Sequence, residues 1–461
     1  MTTSAAMFLL DVLLVALVWP FAVWFTLPAG ATWPAVLVVA PALLHPAANL
    51  LFLYALGLYR RDAILETRKS LGRIPLVVGM GALTAAAGGW LLRLMLPPGP
   101  HADPARLFVL AVVCFAFCGL AARLLLALLR RRALFRSRLM VVGAGRRAWD
   151  LVWMLRNEGS SLHYEVTFVH DPAHGEIDPR LAQDKAHRIV TGGGDMLAVA
   201  RAIQADQIVV APDERRGMAL EGLIACKTAG YPVRQYMGFL EKEIRRIDIK
   251  RLDLTWVLYS DGFYFGLLDR VLKRLLDIAV SLVILLPAAP FLLLAMLAVW
   301  AGDRGPVFYR QARVTRGGRQ FRIVKLRTMR VDAEARGAVW AAAGDSRITR
   351  VGNFLRRTRL DEVPQLFNVL KGEMSLVGPR PERPEFIDEL ARELPLYNER
   401  HMVKAGLTGW AQVNYPYGAS LDDARSKLSY DLYYVKNFSV VFDLLILLQT
   451  LRVVLWPSGV R

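Results

Sequence analysis

The sequence has few of the residues on which disulfide-bonded proteins and zinc enzymes depend. Its 461 residues include only three cysteines, and their spacing supports neither a disulfide framework nor a zinc site. The seven histidines show no HExxH or comparable spacing, so a bound metal should be a hard ion held by carboxylates and phosphate. The chain also lacks a Gly-Lys dipeptide, which excludes a P-loop kinase or ATPase.

Apolar residues are abundant instead. They make up 54% of the chain, and the mean hydropathy is +0.33. No basic segment or cleavage site marks the first apolar run as a signal peptide. Four apolar runs are each long enough to cross a bilayer, and they predict a four-transmembrane-helix bundle within residues 1–136; the runs are 7–27, 35–58, 74–96 and 105–129.

Basic residues are distributed unevenly around these runs. Residues 28–34 and 97–104 contain no Lys or Arg, whereas residues 59–73 contain five and the last run exits into RRRALFRSR. Because Lys and Arg collect on the cytoplasmic side, we expect a multi-pass protein of the bacterial inner membrane with both ends of the bundle in the cytoplasm. The net charge of +18 then indicates anionic lipid and phosphate partners, and no nucleic acid, since no nucleic-acid-binding motif occurs.

Residues 137–250 have the pattern of a Rossmann-like α/β domain. A buried strand, a glycine turn and an amphipathic helix are followed by two further apolar strands, YEVTFVHD and DQIVVAPD. The turn is GxGxxA, a weaker form of the dinucleotide fingerprint, in which Gly143 and Gly145 would admit a phosphate and Asp171 follows the second strand. Alternatively, the glycines serve only the tight turn. Regulatory nucleotide binding and oligomerisation remain the other interpretations of this domain.

A fifth apolar segment, residues 278–301, is interrupted by Pro287 and Pro290. Basic residues flank it on both sides, which disfavours crossing, and each proline bends a helix. We therefore expect a re-entrant membrane helix over about residues 271–301 that breaks near Pro290; a kinked spanning helix is the alternative. Re-entry would place Lys273 and Arg274 at the lipid headgroups, where a lipid-linked phosphate would be met. Residues 438–456 are predicted to lie along the membrane surface.

The segment 360–382, LDEVPQLFNVLKGEMSLVGPRPE, sets two adjacent acids against a Pro-Arg-Pro turn. Asp361 and Glu362 open a predicted helix with Pro364 in its first turn, at a positive helix end that suits a phosphate with a divalent metal. The alternative is that Asp361 merely caps the helix. Upstream, Lys325 and Arg327 are two apart on a predicted strand, so they should share a face that can bind a diphosphate.

Four motifs occur in order: KLRTM, the segment 360–382, AGLTGWAQVN and DLYYVKN. Together they resemble the bacterial sugar transferases, the monotopic phosphoglycosyl transferases that start polysaccharide assembly. The resemblance covers residues 268–461, after a linker at 251–267, and implies a C-terminal α/β catalytic domain built on the re-entrant helix. The strings TWVLYSDGFYFG and YPYGAS more weakly resemble the subgroup found with exosortase-linked exopolysaccharide loci.

The resemblance implies transfer of a sugar 1-phosphate from a UDP-sugar to undecaprenyl phosphate, with release of UMP, as the first step of exopolysaccharide biosynthesis. It makes Asp361 the nucleophile that carries the phosphosugar, and it makes Asp361 and Glu362 ligands of Mg²⁺, with Mn²⁺ as an alternative. The implied phosphate and substrate contacts are Lys325, Arg327, Arg380, Gln311, Arg313 and Asp431, with Pro379 and Pro381 holding the turn rigid.

The chain departs from the family pattern at four positions. The family often has Gly at Thr315, Ser at Ala289, and Arg-Pro at Lys404 and Ala405. Two other functional classes are alternatives. A membrane-anchored nucleotide-sugar dehydratase or epimerase needs a Tyr-xxx-Lys pair, which the sequence lacks. A non-catalytic scaffold for polysaccharide assembly leaves the acidic pair unexplained. A homo-oligomer and polysaccharide-assembly proteins are the further partners that the sequence leaves open.

Overall fold

The structure is a computed structural model, and it divides into two compact units, Met1–Ile244 and Arg245–Arg461. The domain boundaries given above stay predictions. The residues that the structure describes are 3–26, 35–59, 67–95, 104–131, 137–157, 164–172, 175–191, 195–214, 218, 220–252, 254–331, 333, 347–415, 418 and 420–455. The loop residues on which the predicted orientation mainly depends, and part of YPYGAS, lie outside these ranges.

The first unit begins with four long helices that follow the four apolar runs: α1 Thr3–Thr26, α2 Ala35–Ala55, α3 Thr67–Met95 and α4 Pro104–Arg131. Trp19, Leu53, Val77 and Phe115, one from each helix, belong to a single buried apolar cluster. Two segments, Met7–Thr26 and Ser70–Gly88, are long and apolar enough to cross a membrane, and Val109–Leu125 is a shorter apolar stretch. Four spanning helices therefore stay a prediction.

The rest of the first unit is an α/β domain with a parallel sheet of strand order β3-β2-β1-β4-β5, which confirms the predicted Rossmann-like pattern. The chain order reverses between β1 and β4, where such folds have a crevice at the carboxyl ends of the strands. Its elements are β1 Ser137–Val142, α5 Arg146–Asn157, β2 Tyr164–His170, α6 Pro179–Gln183, β3 Arg188–Thr191, α7 Met196–Ala202, β4 Gln207–Val210, α8 Leu220–Thr228, β5 Val233–Gln235 and α9 Tyr236–Ile244.

The second unit surrounds an apolar core that includes Val369, Leu376, Trp410, Val435 and Ile446. An antiparallel hairpin, β6 and β7, and a short parallel pair, β8 and β9, supply its strands. Its elements are α10 Leu254–Tyr259, α11 Leu267–Asp303, β6 Phe308–Val314, β7 Gln320–Leu326, α12 Arg350–Thr358, α13 Gln365–Lys371, β8 Ser375–Val377, α14 Pro384–Glu393, β9 Gly406–Thr408, α15 Trp410–Asn414, α16 Leu421–Lys436 and α17 Val440–Leu455.

Helix α11 is the fifth apolar segment, and it is 37 residues long with both prolines inside it. The sequence predicted a break near Pro290, but the helix continues to Asp303; proline keeps a helical φ, so a helix can bend there without ending. Asp277 near its start and Val299 near its end are both buried, whereas Leu286 in the middle is 75% exposed. Re-entry into the membrane stays a prediction.

Candidate active site

Asp361 and Glu362 lie in one turn of 3₁₀ helix, Leu360–Glu362, between α12 and α13. Arg359 ends α12 in a left-handed conformation, with φ of 59°, and so turns the chain into this segment. The N-cap of α13 is Pro364, one residue earlier than the first-turn position predicted, and no side chain caps the helix. Asp361 is therefore not a capping residue, and its carboxyl group is left for another role.

Glu362 is surrounded by cations. Lys325 Nζ donates to Glu362 Oε1 over 2.9 Å, Arg380 lies 3.5 Å from the same oxygen, and Arg359 lies 3.7 Å from Oε2. Burial opposes ionisation of this carboxyl group, but the charges of Lys325 and Arg380 outweigh it and hold the Glu362 pKa well below its ordinary value. Glu362 is thus a fixed negative charge that gathers three basic side chains beside Asp361.

Asp361 has the opposite electrostatic environment. Its side chain is buried, with 7% of the residue exposed. Burial, followed by the negative charge of Glu362, raises the pKa of Asp361 to about 6, although Lys325 acts in the other direction. Two neighbouring carboxyl groups with divergent pKa values are typical of sites where the two acids have different chemical roles.

The Pro379–Arg380–Pro381 turn is held by its backbone. The N–H of Gly406 donates to Pro379 O over 2.9 Å. Arg400 donates to Arg380 O over 3.0 Å, and Arg313 donates to Pro381 O over 3.1 Å. Because all three carbonyl groups are bonded, the turn is fixed while the Arg380 side chain, 39% exposed, extends towards Glu362.

Three residues predicted near the nucleotide sugar lie around this turn. Gln311 Oε1 accepts a hydrogen bond from Arg313 Nη2 over 2.7 Å, next to the bond from Arg313 to the turn. Asp431 is 2% exposed and accepts from Arg400 over 2.7 Å. Through these contacts the three residues support the Pro379–Arg380–Pro381 turn. Arg400 connects Asp431 to the turn. It was not predicted, because nothing in its local sequence distinguishes it from a surface arginine.

Lys325 and Arg327 do not share a partner. Lys325 pairs with Glu362, whereas Arg327 is 8% exposed and pairs with Asp303 at the end of α11. Strand β7 ends at Leu326, but the N–H of Arg327 still donates to Val307 O over 2.9 Å, so the hydrogen bonds of the hairpin continue to this residue. A common face for Lys325 and Arg327 therefore stays a prediction. A phosphate contact from Arg327 stays a prediction.

The basic pair before the apolar segment contacts the protein. Lys273 Nζ donates to Val377 O over 3.1 Å and pairs with buried Asp443. Arg274 donates to the carbonyl oxygens of Val369 and Leu370, each over 2.6 Å, at the end of α13. Both residues thus attach α11 to the rest of the unit. Pro290 is exposed on α11.

The glycine turn of the parallel-sheet domain is filled by an acid. Gly143 has a φ of 110°, and a β-carbon there would lie 2.8 Å from Ala211 O. The Asp213 carboxylate accepts hydrogen bonds from the N–H groups of Arg146 and Arg147, over 2.7 and 2.9 Å, and a β-carbon on Gly145 would clash with it. The amides that would hold a phosphate are thus occupied, which favours the purely structural interpretation of the two glycines.

Among the residues that the structure describes, no group of three or more His, Cys, Asp and Glu side chains could hold a metal. The donor set at the acidic pair nevertheless fits Mg²⁺, which commonly uses one or two carboxylates and completes its coordination with water and substrate phosphates. Glu362 is held ionised, and Asp361 adjoins it in sequence. The pair suits a metal that arrives with a diphosphate better than a permanently bound one.

Comparison with known proteins assigns the family. Residues 268–457 match the model of the bacterial sugar transferase family. Over 265 residues the chain is 40% identical to a UDP-N-acetylgalactosamine-undecaprenyl-phosphate N-acetylgalactosaminephosphotransferase of Aeromonas hydrophila, covering 56% of this chain and 61% of the relative.

Two shorter alignments cover more of the relatives. A UDP-glucose:undecaprenyl-phosphate glucose-1-phosphate transferase of Caulobacter vibrioides is 41% identical over 39% of this chain and 67% of its own length. The exopolysaccharide production protein PSS of Rhizobium leguminosarum is 41% identical over 40% of this chain and 94% of its own length. The chain therefore belongs to the bacterial sugar transferase family.

Proposed function

We propose that the protein transfers a sugar 1-phosphate from a UDP-sugar to undecaprenyl phosphate and releases UMP, as the initiating step of exopolysaccharide biosynthesis. The relatives whose names state an activity are transferases of this kind. The observation that supports the chemistry best is a buried Asp361 next to an ionised Glu362 that collects Lys325, Arg359 and Arg380. The relatives differ in sugar, so the sugar is left to experiment.

The reaction proposed has two displacements at one phosphorus atom. A carboxylate oxygen of Asp361 bonds to the phosphorus that carries the sugar while the bond to the bridging oxygen breaks, and UMP leaves. A phosphate oxygen of undecaprenyl phosphate then bonds to that phosphorus, and the Asp361 carboxylate is released. Lys325, Arg359 and Arg380 would neutralise the negative charge of the diphosphate, so that one anion can attack another.

Mg²⁺, or Mn²⁺ in its place, is part of the proposal. Asp361 and Glu362 would hold it, and it would supply further positive charge to the diphosphate and the leaving UMP. Glu362→Gln should weaken the dependence of UMP release on Mg²⁺ concentration. An unchanged Mg²⁺ titration would reject Glu362 as a ligand.

The placement in the membrane is also proposed: four spanning helices, then α11 entering and leaving one leaflet, with the catalytic residues in the cytoplasm. A straight helix of 37 residues would be about 55 Å long. Yet Arg274 near one end of α11 contacts α13, and Leu292 and Val299 near the other end belong to an apolar cluster with Leu355 of α12. Since α12 and α13 are joined by a single 3₁₀ turn, a bent α11 explains both contacts best.

A reporter enzyme fused after Arg461 tests this topology. The proposal predicts activity of a cytoplasmic reporter only. Activity of a periplasmic reporter would mean that α11 crosses the bilayer.

The activity is tested with membranes, undecaprenyl phosphate and a panel of UDP-sugars, by measuring the UMP released. Asp361→Asn should abolish both UMP release and the labelled phosphosugar adduct, because an amide cannot form that bond. Asp388→Asn is a matched control, since Asp388 is an exposed acid on α14. An adduct that survives in Asp361→Asn would overturn the assignment of the nucleophile.

A further inference from the structure

Lys404 is a half-buried cation that the proposed reaction does not use. It stands between the buried residues Val403 and Ala405, just before β9. Among the residues that the structure describes, Lys404 forms neither a hydrogen bond nor an ion pair, although burying a charge without a partner is costly. A half-buried lysine that forms no hydrogen bond or ion pair with an acid points to a partner outside the chain.

The surroundings of Lys404 are basic. Gly372 ends α13 in a left-handed conformation, with φ of 83°. Lys404 and Arg274 both lie close to it, because a β-carbon on Gly372 would lie 3.4 Å from Lys404 Nζ and 3.7 Å from Arg274 Cζ. Burial lowers the pKa of Lys404, and the nearby charges of Arg274 and Arg316 lower it further. Asp277 is the acid that opposes them, but its Oδ1 already accepts hydrogen bonds from Ser375 and Leu376. Lys404 therefore lies in a basic cluster with Arg274 and Arg316, which has an excess of positive charge.

This basic cluster lies beside the start of an apolar helix. Arg274 belongs to α11, and its neighbours Val271, Leu272 and Leu275 are 48%, 43% and 58% exposed. Exposed apolar side chains beside basic residues are typical of a protein surface at the level of lipid headgroups. The phosphate that fits here should thus be attached to a lipid.

The basic cluster is separate from the reacting atoms. Asp361 and Glu362 precede α13 and Gly372 follows it, and a helix of seven residues is about 10 Å long. A phosphate beside Lys404 is too far from Asp361 to accept the phosphosugar. The lipid would therefore be a bound ligand of the protein and not a substrate of the reaction.

We propose that Lys404, with Arg274 and Arg316, binds the phosphate group of an anionic phospholipid at the foot of α11. The inference rests on the proposed membrane placement of α11. Arg274 already donates to two carbonyl groups of α13, so Lys404 is the residue whose charge is free for the lipid. A phosphate bound to the basic cluster would relieve the repulsion among the three cations and fix the depth of α11 in the leaflet.

Native mass spectrometry of the full-length protein with added dioleoyl phosphatidylglycerol or dioleoyl phosphatidylcholine tests the site. Wild-type protein should retain the anionic lipid in preference, and Lys404→Met should weaken that retention about tenfold, as expected for loss of one charge-assisted contact. Lys404→Arg should bind as wild type does. Lys371→Met, an exposed lysine at the end of α13, is the control and should also bind normally.

Equal retention of phosphatidylglycerol by wild type and Lys404→Met would overturn the proposal. Displacement of the lipid by an equal concentration of inorganic phosphate would overturn the lipid as the ligand. Retention of undecaprenyl phosphate in place of phosphatidylglycerol would show an acceptor site instead. Lipid retention requires no turnover, so it is independent of whether UMP release supports the proposed function. Thermal unfolding of each variant shows whether it is folded.

Discussion

At the scale of single residues, the contrast between Asp361 and Glu362 determines how the site should respond to pH. The pKa of Asp361 is raised to about 6, and a carboxyl group must be ionised to attack phosphorus. UMP release in the absence of acceptor should therefore decrease as the pH falls through about 6. Glu362→Gln removes a neighbouring negative charge and should move the midpoint to lower pH. A midpoint that Glu362→Gln leaves in place would mean that another group controls the profile.

The same raised pKa has a consequence for stability. A carboxyl group whose pKa is higher in the folded state than its ordinary value of 3.8 favours folding at low pH, and this contribution is lost as the pH rises towards 6. Asp361→Asn removes the buried charge, so at pH 8 it should stabilise the protein by about 2 to 3 kcal/mol while abolishing activity. Thermal unfolding at pH 4 and pH 8 measures the effect, which should be smaller at pH 4. A lower melting temperature at pH 8 would contradict this account.

Two departures from the family pattern compensate for each other. Thr315 Oγ1 accepts a hydrogen bond over 3.1 Å from the N–H of Ala405, at the position where the family often has a proline without an N–H. Both residues are buried. Ala405→Pro alone should cost about 1 to 3 kcal/mol because the Thr315 hydroxyl loses its donor, and Thr315→Gly alone should cost a similar amount. The double variant should cost less than the sum, and additive losses in thermal unfolding would exclude the coupling.

At the scale of elements, the attachment of α11 depends on one buried cluster. Lys273 and Tyr434 both donate to Val377 O and both contact Asp443, which is fully buried. Val377 is the last residue of β8, and only Gly378 separates it from the Pro-Arg-Pro turn, so the cluster connects α11 to the turn that carries Arg380.

Lys273→Met should therefore destabilise the protein by about 3 to 5 kcal/mol, because Asp443 remains as a buried, unpaired charge. The double variant Lys273→Met/Asp443→Leu should recover most of this loss, since the charge is then removed. Chemical denaturation in detergent compares the variants. If the double variant is no more stable than Lys273→Met, the loss comes from packing and not from the charge.

The elements themselves were largely predictable. Apolar runs gave α1 to α4 and α11, and short β-rich segments separated by helical patterns gave the parallel sheet, because these signals are local in sequence. The ion-pair partners of buried arginines were not predictable from the sequence, because these contacts depend on how distant elements pack. Arg327 pairs with Asp303, and Arg400 pairs with Asp431. The acidic pair and the Pro-Arg-Pro turn were found because their unusual sequence lies within one short segment.

At the scale of the whole molecule, the parallel-sheet domain has the crevice of a nucleotide-binding fold, but acidic side chains line that crevice. Asp171, Glu176 and Asp213 line the crevice at the carboxyl ends of the strands, and Asp213 occupies the N–H groups at the start of α5. A diphosphate would have to displace one carboxylate and approach two others. We therefore expect that NAD and coenzyme A do not raise the melting temperature of the full chain.

Asp213→Ala tests this reasoning, because it frees the amides of Arg146 and Arg147 and removes one of the three negative charges. It should destabilise the domain by about 1 kcal/mol through loss of the capping interaction. It should also allow stabilisation by NAD at millimolar concentration while UMP release is unchanged, since the acidic pair belongs to the other compact unit. If NAD already raises the melting temperature of the wild-type protein, then a phosphate displaces the Asp213 carboxylate, and the glycine turn is a nucleotide-binding site.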